Sequence, residues 1–285
     1  MNSITLASGE LQTTISLDDP HGWVGLARLQ HRALQHDWLL SPAITLEHYI
    51  GVPMQAPEYI QYEPCCCDKQ FIQHGESTCT LRYEPLPCSQ VSTEISYTLV
   101  APHYVDVQVQ VSTTRAEWPY SSLALFFATI VQAPIYAGIL FPGKDLRIET
   151  QPKSEWVSFN GYARTAGNTA HAFGAPAPEL RRPEPAPATY YYSDSSLRFT
   201  QPFFYATIDD LCFAVLFKDA DRQNVHFTVN PIAPAFGGPA WDFFWHIDDP
   251  APGKPYRLEF RVMLKPFAGS ADVLGEYQHY NTTVE

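Results

Sequence analysis

The 285-residue chain carries 18 Lys and Arg against 30 Asp and Glu, a net charge of −12 at pH 7, and 45% hydrophobic residues. That apolar content excludes wholesale disorder, and a negative chain without any Lys/Arg cluster excludes nucleic acid and an anionic membrane surface as partners. Charged residues, at 17% against about 25% in an average globular protein, are too few to clad long helices, while 14% aromatics favour pleated surfaces.

From the N-terminus, MNSITLASGELQ has neither a basic n-region nor an apolar h-region, so no signal peptide is expected. The cytoplasm is then the expected location, unless a leader has been trimmed. GELQTTISL reads as a strand. His31 and His36 have no recognised metal spacing and are expected on an exposed turn or hairpin. Asp37 to Tyr49 is ambiguous, because Pro42 interrupts any helix there.

Cys65, Cys66, Cys67, Cys79 and Cys88 crowd into one stretch without the paired C-x2–4-C spacing of a zinc site. They are expected as buried reduced thiols, as is Cys212 in LCFAVLF. STEISYTLV and YVDVQVQV alternate with period two, so Val105, Val107, Val109 and Val111 face a core. Tyr104, Asp106, Gln108 and Gln110 then face solvent or a cleft. The apolar run Leu123–Phe141 is broken by Gln132, Pro134 and Gly138, and reads as two strands and a turn instead of a membrane span.

Residues 174–189 are proline-dense and read as a long extended loop crossing one sandwich. Further strands are expected in LRFTQPFFYATI, LCFAVLF, NVHFTVN, WDFFWHI and YRLEFRVML, with one short helix over Ser270–Tyr277. The sum is a single all-β domain over 1–285, a large antiparallel sandwich with few short helices.

Three polar clusters could carry chemistry. His103, Tyr104 and Asp106 open one strand. His171 lies among Ala170, Ala172 and Gly174, which would leave its imidazole accessible. Asp242 and His246 share a face of an aromatic strand, where a carboxylate needs a partner or a ligand, and Trp241 beside them could serve as a sugar platform. No nucleophile elbow, phosphate loop, dinucleotide fingerprint or zinc-protease motif occurs, so neither a cofactor nor a metal is expected.

In order, these features resemble the galactose mutarotase-like family. GELQTTISLDDPHGWVGLARL is similar to its opening strand and turn. Asn168-Thr169-Ala170-His171-Ala172-Phe173 keeps the Thr, the His and a following aromatic of its N-x-T-N-H-x-Y-F-N motif. His103 stands where an earlier sugar-binding histidine would be. Pro252-Gly253-Lys254-Pro255-Tyr256 with RLEFRVML resembles its last turn and strand. The family's late glutamate base is missing, since no Glu lies between Glu184 and Glu259, and Asp242 is the nearest substitute.

The resemblance implies a supersandwich with a concave sugar cleft. The function expected from it is acid–base chemistry on a sugar or glycoside, of epimerase, lyase or hydrolase type. His171 would be the acid and Asp242 the base, His103 would be a third catalytic residue that orients the substrate, and Tyr104, Asp106, Trp241 and His246 would bind the carbohydrate. A non-catalytic carbohydrate-binding protein with the same cleft is the alternative, and a metal-dependent jelly roll a third reading that would need converging His or acidic ligands.

Overall fold

The structure, a computed structural model, describes residues 2–34, 38–51, 60, 62–118, 121–134, 137–148, 155–160, 170–175, 193–231, 233 and 237–282. Strands β1 (Ser3–Ser8), β2 (Leu11–Ser16) and β3 (Gln30–His31) form a small antiparallel sheet. A sheet of 15 strands holds the rest.

Its strands are β4 (Thr45–Ile50), β5 (Lys69–Gln73), β6 (Thr78–Tyr83), β7 (Val91–Val100), β8 (Tyr104–Thr113) and β9 (Ser122–Ala128). They continue with β10 (Ile139–Asp145), β11 (Glu155–Phe159), β12 (Ala170–Gly174), β13 (Ser193–Phe199), β14 (Phe203–Ile208) and β15 (Leu211–Phe217). The last three are β16 (Val225–Asn230), β17 (Ala240–Asp248) and β18 (Tyr256–Pro266). Across the sheet the order is β4-β9-β17-β16-β12-β13-β10-β14-β15-β18-β8-β7-β6-β5, with β11 paired on β10 and all these pairs antiparallel except β12–β13.

Period-two alternation sorts every central strand into an inner and an outer face. Phe127 of β9, Phe227 of β16, and Trp241, Phe243 and Trp245 of β17 point inward, and so do Phe213 and Phe217 of β15 and Phe260 of β18. The sheet curls back so that these faces meet. Phe243 packs edge-on to Phe260 at 5.2 Å, and Phe217 lies 4.9 Å from Phe243 and 6.1 Å from Phe227. β4, β9, β17, β16 and β12 thus form one wall of a sandwich, and β15, β18, β8 and β7 the other. Their outer faces look in opposite directions.

Helix α2 (Ser270–Thr282) runs longer than the sequence suggested. Val273, Tyr277 and Tyr280, spaced as one helical face, cover the outer side of β14 and β15 against Phe203, Tyr205, Ala214 and Leu216. The ring of Tyr277 stacks on Phe203 at 4.5 Å. No described helix is long and apolar enough to cross a membrane.

Several expectations change. The 37–49 stretch yields a strand, β4, because a β-branched and aromatic run (TLEHYI) follows Pro42. His31 is buried, with Nε2 3.2 Å from Glu10 Oε2, so the exposed turn expected there is corrected; His36 lies outside the described residues. The three contiguous cysteines fall on and after a short helix, α1 (Glu63–Cys66), where Cys66 is exposed, Cys65 half-buried and Cys67 buried. Burial pushes the thiols of Cys67 up to about 11 and of Cys79 and Cys212 to about 12. Of the proline-dense stretch only Gly174 and Ala175 are described, and the loop expected at 174–189 otherwise lies outside the described residues.

Two measurements test this layering. Phe260→Ala should lower unfolding free energy in urea by about 3–5 kcal/mol, the usual cost of emptying a large aromatic site; a loss below about 1 kcal/mol would contradict the shared core. No metal-binding trio of His, Cys, Asp or Glu occurs among the described residues. Because the 65–88 cysteines lack the paired spacing of a zinc site, a chelator should leave the melting temperature unchanged, whereas a structural metal site would cost folding free energy directly.

Candidate active site on the outer face of one wall

On β17, inward Trp241, Phe243 and Trp245 leave Asp242, Phe244 and His246 on the outer face. On β16 the same alternation leaves His226, Thr228 and Asn230 outside, and on β12 His171 and Phe173. Register then aligns them. Asp242 stands opposite Thr228, and Thr228 opposite His171. One row across three strands therefore carries Asp242 and His171, their backbones about 10 Å apart at a strand spacing of about 4.8 Å.

Rings tie this row together. The imidazole of His171 stacks on Phe244 at 5.1 Å and 16°. Phe244 meets Phe126 of β9 at 4.6 Å, Phe126 meets His48 of β4 at 5.5 Å, and Tyr62 beside α1 lies 4.5 Å from His48. His226 lies 4.7 Å from His246 and 4.6 Å from Phe173, whose ring also meets the Arg198 guanidinium at 5.1 Å and the His171 ring at 6.1 Å. His171 is 3% exposed, so the accessible imidazole expected from its small neighbours is corrected: β12 is an interior strand and aromatic rings flank the side chain.

A β-bulge adds a residue that sequence reading missed. Between Leu46 and His48 the pairing of β4 with β9 slips, leaving Glu47 as the extra residue. Its carboxylate lies 3.6 Å from His48 Nε2 and within electrostatic reach of Asp242. Burial raises the Glu47 carboxyl to about 7. Burial also lifts Asp242 well above the usual carboxylate range, and the negative Glu47 adds to this; the Thr129 N–H donated to Oδ1 at 3.0 Å opposes it. The imidazoles move the other way. Burial holds His246 near 4 against the opposing charge of Asp248, and holds His226 well below its ordinary value, where the neighbouring imidazoles and Arg198 add to it. The face therefore favours the protonated form of Asp242, holds Glu47 near half ionisation at neutral pH, and leaves His226 and His246 uncharged there.

Other expected site residues sit elsewhere. Trp241 faces the core, stacked on Phe213 at 6.4 Å with its indole N–H donated to the Ala137 carbonyl at 3.0 Å, and cannot reach a ligand on the Asp242 side. Tyr104 and Asp106 lie on the outer face of the opposite wall, because β8 packs beside β18.

His103, in the turn before β8, has Nδ1 3.3 Å from Glu10 and Nε2 3.5 Å from Glu276, tying the β1–β2 hairpin to α2. That hairpin approaches closely because Gly9 has no side chain; a Cβ there would lie 2.5 Å from the Pro102 carbonyl oxygen. Tyr104 donates its hydroxyl to Glu276 at 2.6 Å, and Lys265 donates to the same carboxylate at 2.8 Å. Burial works against the charge on Glu276, yet Lys265 and Tyr104 hold it below its ordinary value. His103 therefore sits between Glu10 and Glu276, across the core from His171.

No protein-family model and no curated protein matches the chain. Solved structures do. A galactose mutarotase related enzyme from Lactobacillus acidophilus superposes at a TM-score of 0.54 with 10% identity, over 92% of this chain and 97% of that one. A galactose mutarotase-like protein from Lactobacillus casei gives 0.53 with 9% identity, over 93% and 100%.

The fold is galactose mutarotase-like.

A GalM/aldose epimerase homologue from C. elegans agrees, with a TM-score of 0.50 and 9% identity over 93% and 98% of the two chains. Within this mutarotase-like sandwich His171 and Asp242 fall on one wall and His103 on the other. The turn at Pro252–Pro255 leads directly into β18, as the sequence resemblance implied.

The bulge residue gives a signed pH test. Glu47 keeps its proton in the folded chain up to about 7 but gives it up near 4.5 when unfolded. Its contribution to stability is therefore complete below that unfolded value and lost as pH rises through the folded one. His246 contributes oppositely, its share present above 6.5 and lost as pH falls through about 4. Relative to the wild type, Glu47→Gln should gain stability between acidic and neutral pH by about 3 kcal/mol, read from urea unfolding on either side of that window. An offset equal at both pH values would mean an ordinary Glu47 carboxyl.

Proposed function

We propose that the chain is a carbohydrate-active enzyme that moves protons at the Asp242–His171 row. The observation that carries this reading is the pair of carboxyls, Asp242 and Glu47, on a face lined with buried imidazoles and aromatic rings. Two carboxyls with displaced proton affinities, one near neutrality, are what general acid–base chemistry needs at ordinary pH. The roles differ from those expected at first. A protonated Asp242 serves as the acid, and Glu47, close to neutrality, serves as the base. His171, stacked on Phe244, and His226, beside His246, would position the two carboxyls for proton transfer. The mutarotase-like fold is consistent with a sugar substrate, and fold alone selects neither substrate nor reaction.

A second reading, a non-catalytic carbohydrate-binding protein, draws on one specific contact. The Thr129 N–H already engages Asp242 Oδ1, so this carboxyl also has a structural role. The two readings separate in one experiment. Aldoses followed by polarimetry, and uronic-acid polysaccharides followed by ultraviolet absorbance of unsaturated products, would report turnover. Asp242→Asn and His171→Ala should each lower the rate by about 10²–10⁴-fold while circular dichroism stays that of the wild type. In Glu47→Gln the limb of the rate profile near neutral pH should vanish. Sugar binding without turnover in the wild type would favour the second reading, and undiminished rates in these variants would remove the row from catalysis.

A further inference from the structure

The opposite wall carries a cleft that the proposed chemistry does not use. Its floor is a grid of polar side chains set by register. Ser96 of β7 stands opposite Gln108 of β8, which stands opposite Glu259 of β18; Thr98, Asp106 and Arg261 form the neighbouring rung. The rungs are about 7 Å apart along the strands, and each spans about 10 Å across three of them. Helix α2 covers β14 and β15 and stops short of this grid, so Tyr280 from its last turn and Lys218 after β15 make one side wall. The open cleft between them has a volume of about 290 Å³.

A polar outer face on an antiparallel sheet is ordinarily just a solvated one. Here the donors are fixed in place. Arg261 makes a bidentate pair with Asp106 at 2.6 and 2.8 Å, and its guanidinium lies 4.4 Å from the Tyr104 ring and 4.9 Å from the Tyr280 ring. Lys218 donates to the Tyr280 carbonyl at 2.8 Å with Nζ 3.9 Å from that ring's centre, and Gln108 donates to Glu259 at 2.8 Å. Aromatic clamping removes the side-chain entropy that a loose surface pair would lose on binding.

Two cations and two carboxylates line the space, so their formal charges cancel and neither an anion nor a cation is favoured. Donors and acceptors share the lining: Ser96, Thr98 and Gln108 can do both, Lys218 and Arg261 donate, and Asp106 and Glu259 accept. A ligand that both gives and takes hydrogen bonds at every vertex, and carries no charge, matches that pattern. The volume sits just below the usual range of small-ligand sites, which starts at about 300 Å³, and so takes no more than one ring-sized unit.

We infer that the β7–β8–β18 cleft is a second ligand site, binding a single neutral pyranose unit on the wall opposite the Asp242–His171 row. The choice of a sugar among neutral polyols rests on the carbohydrate reading above; the site itself rests on the grid. It would hold a second residue of a longer glycan, or a separate sugar, away from the reacting bond.

Nuclear magnetic resonance on the full chain tests this with site-resolved signals. D-Galactose, D-glucose and N-acetylglucosamine are titrated to millimolar excess, with inorganic phosphate and glycine as charged probes. A sugar should shift the amide signals of Ser96, Gln108 and Glu259 and the Arg261 side-chain N–H, and phosphate and glycine should not. The double variant Gln108→Ala with Glu259→Gln should weaken those shifts' apparent affinity by about tenfold or more, whereas Asp242→Asn should leave it unchanged.

Shifts confined to the Asp242 and His171 signals would overturn this site and leave the carbohydrate reading intact. Shifts confined to the grid would support the site and count against the proposed catalytic row. No shift with any sugar would overturn both, and so would a grid that answers only to phosphate or glycine. Affinity undiminished in the folded double variant would overturn the site alone.

Discussion

The contact that governs this molecule is the aromatic one between its two walls, where Phe243 of β17 meets Phe260 of β18 and Phe217 of β15. A strand has only two faces. Once alternate residues of β17 are committed to that core, Asp242, Phe244 and His246 must point the other way, and once Phe260 is committed, Glu259 and Arg261 must point away on the far side. Chemistry-bearing residues that look close in sequence order are thereby distributed between two surfaces separated by the whole core. The separation of His103 and Asp106 from His171 follows from this packing and from nothing local to those residues.

On the Asp242 side, burial decides the protonation states. Removing carboxyls from water costs their charged forms, so Asp242 and Glu47 keep protons that exposed carboxyls would lose; the imidazoles, charged when protonated, give theirs up. Both shifts come from one cause acting on groups of opposite charge type. The single hydrogen bond from Thr129 opposes it and does not win. On the opposite wall, charges pair instead of being neutralised: Arg261 meets Asp106 under two tyrosine rings, and Lys265 meets Glu276 and Asp272.

Much of the architecture was legible because period-two patterns are local. STEISYTLV and YVDVQVQV announced β7 and β8 with their polar faces, and LCFAVLF and WDFFWHI announced β15 and β17. The helix start at Ser270 was readable from its flanks, although its extent to Thr282 was not, since Tyr280 is held by tertiary packing. In the site, Asp242 and His171 share a row only through the registers of β16 with both neighbours, which no sequence motif encodes. His226 was available in principle: the alternation of Val225, Phe227 and Val229 already places it outside. Glu47 was not, because a bulge breaks the alternation at that residue. Trp241 was misassigned because aromatic character alone does not distinguish a sugar platform from core packing.

The most direct measurement is the titration of the two carboxyls themselves, by carbon-13 spectroscopy of the labelled side-chain carbons in the folded chain, with Asp242→Asn and Glu47→Gln assigning the signals. If burial on this outer face sets their protonation, the Asp242 carbon titrates well above the ordinary carboxylate range and the Glu47 carbon moves near pH 7. Both carbons titrating near the ordinary carboxylate value of about 4 would contradict it, and with it the acid–base row.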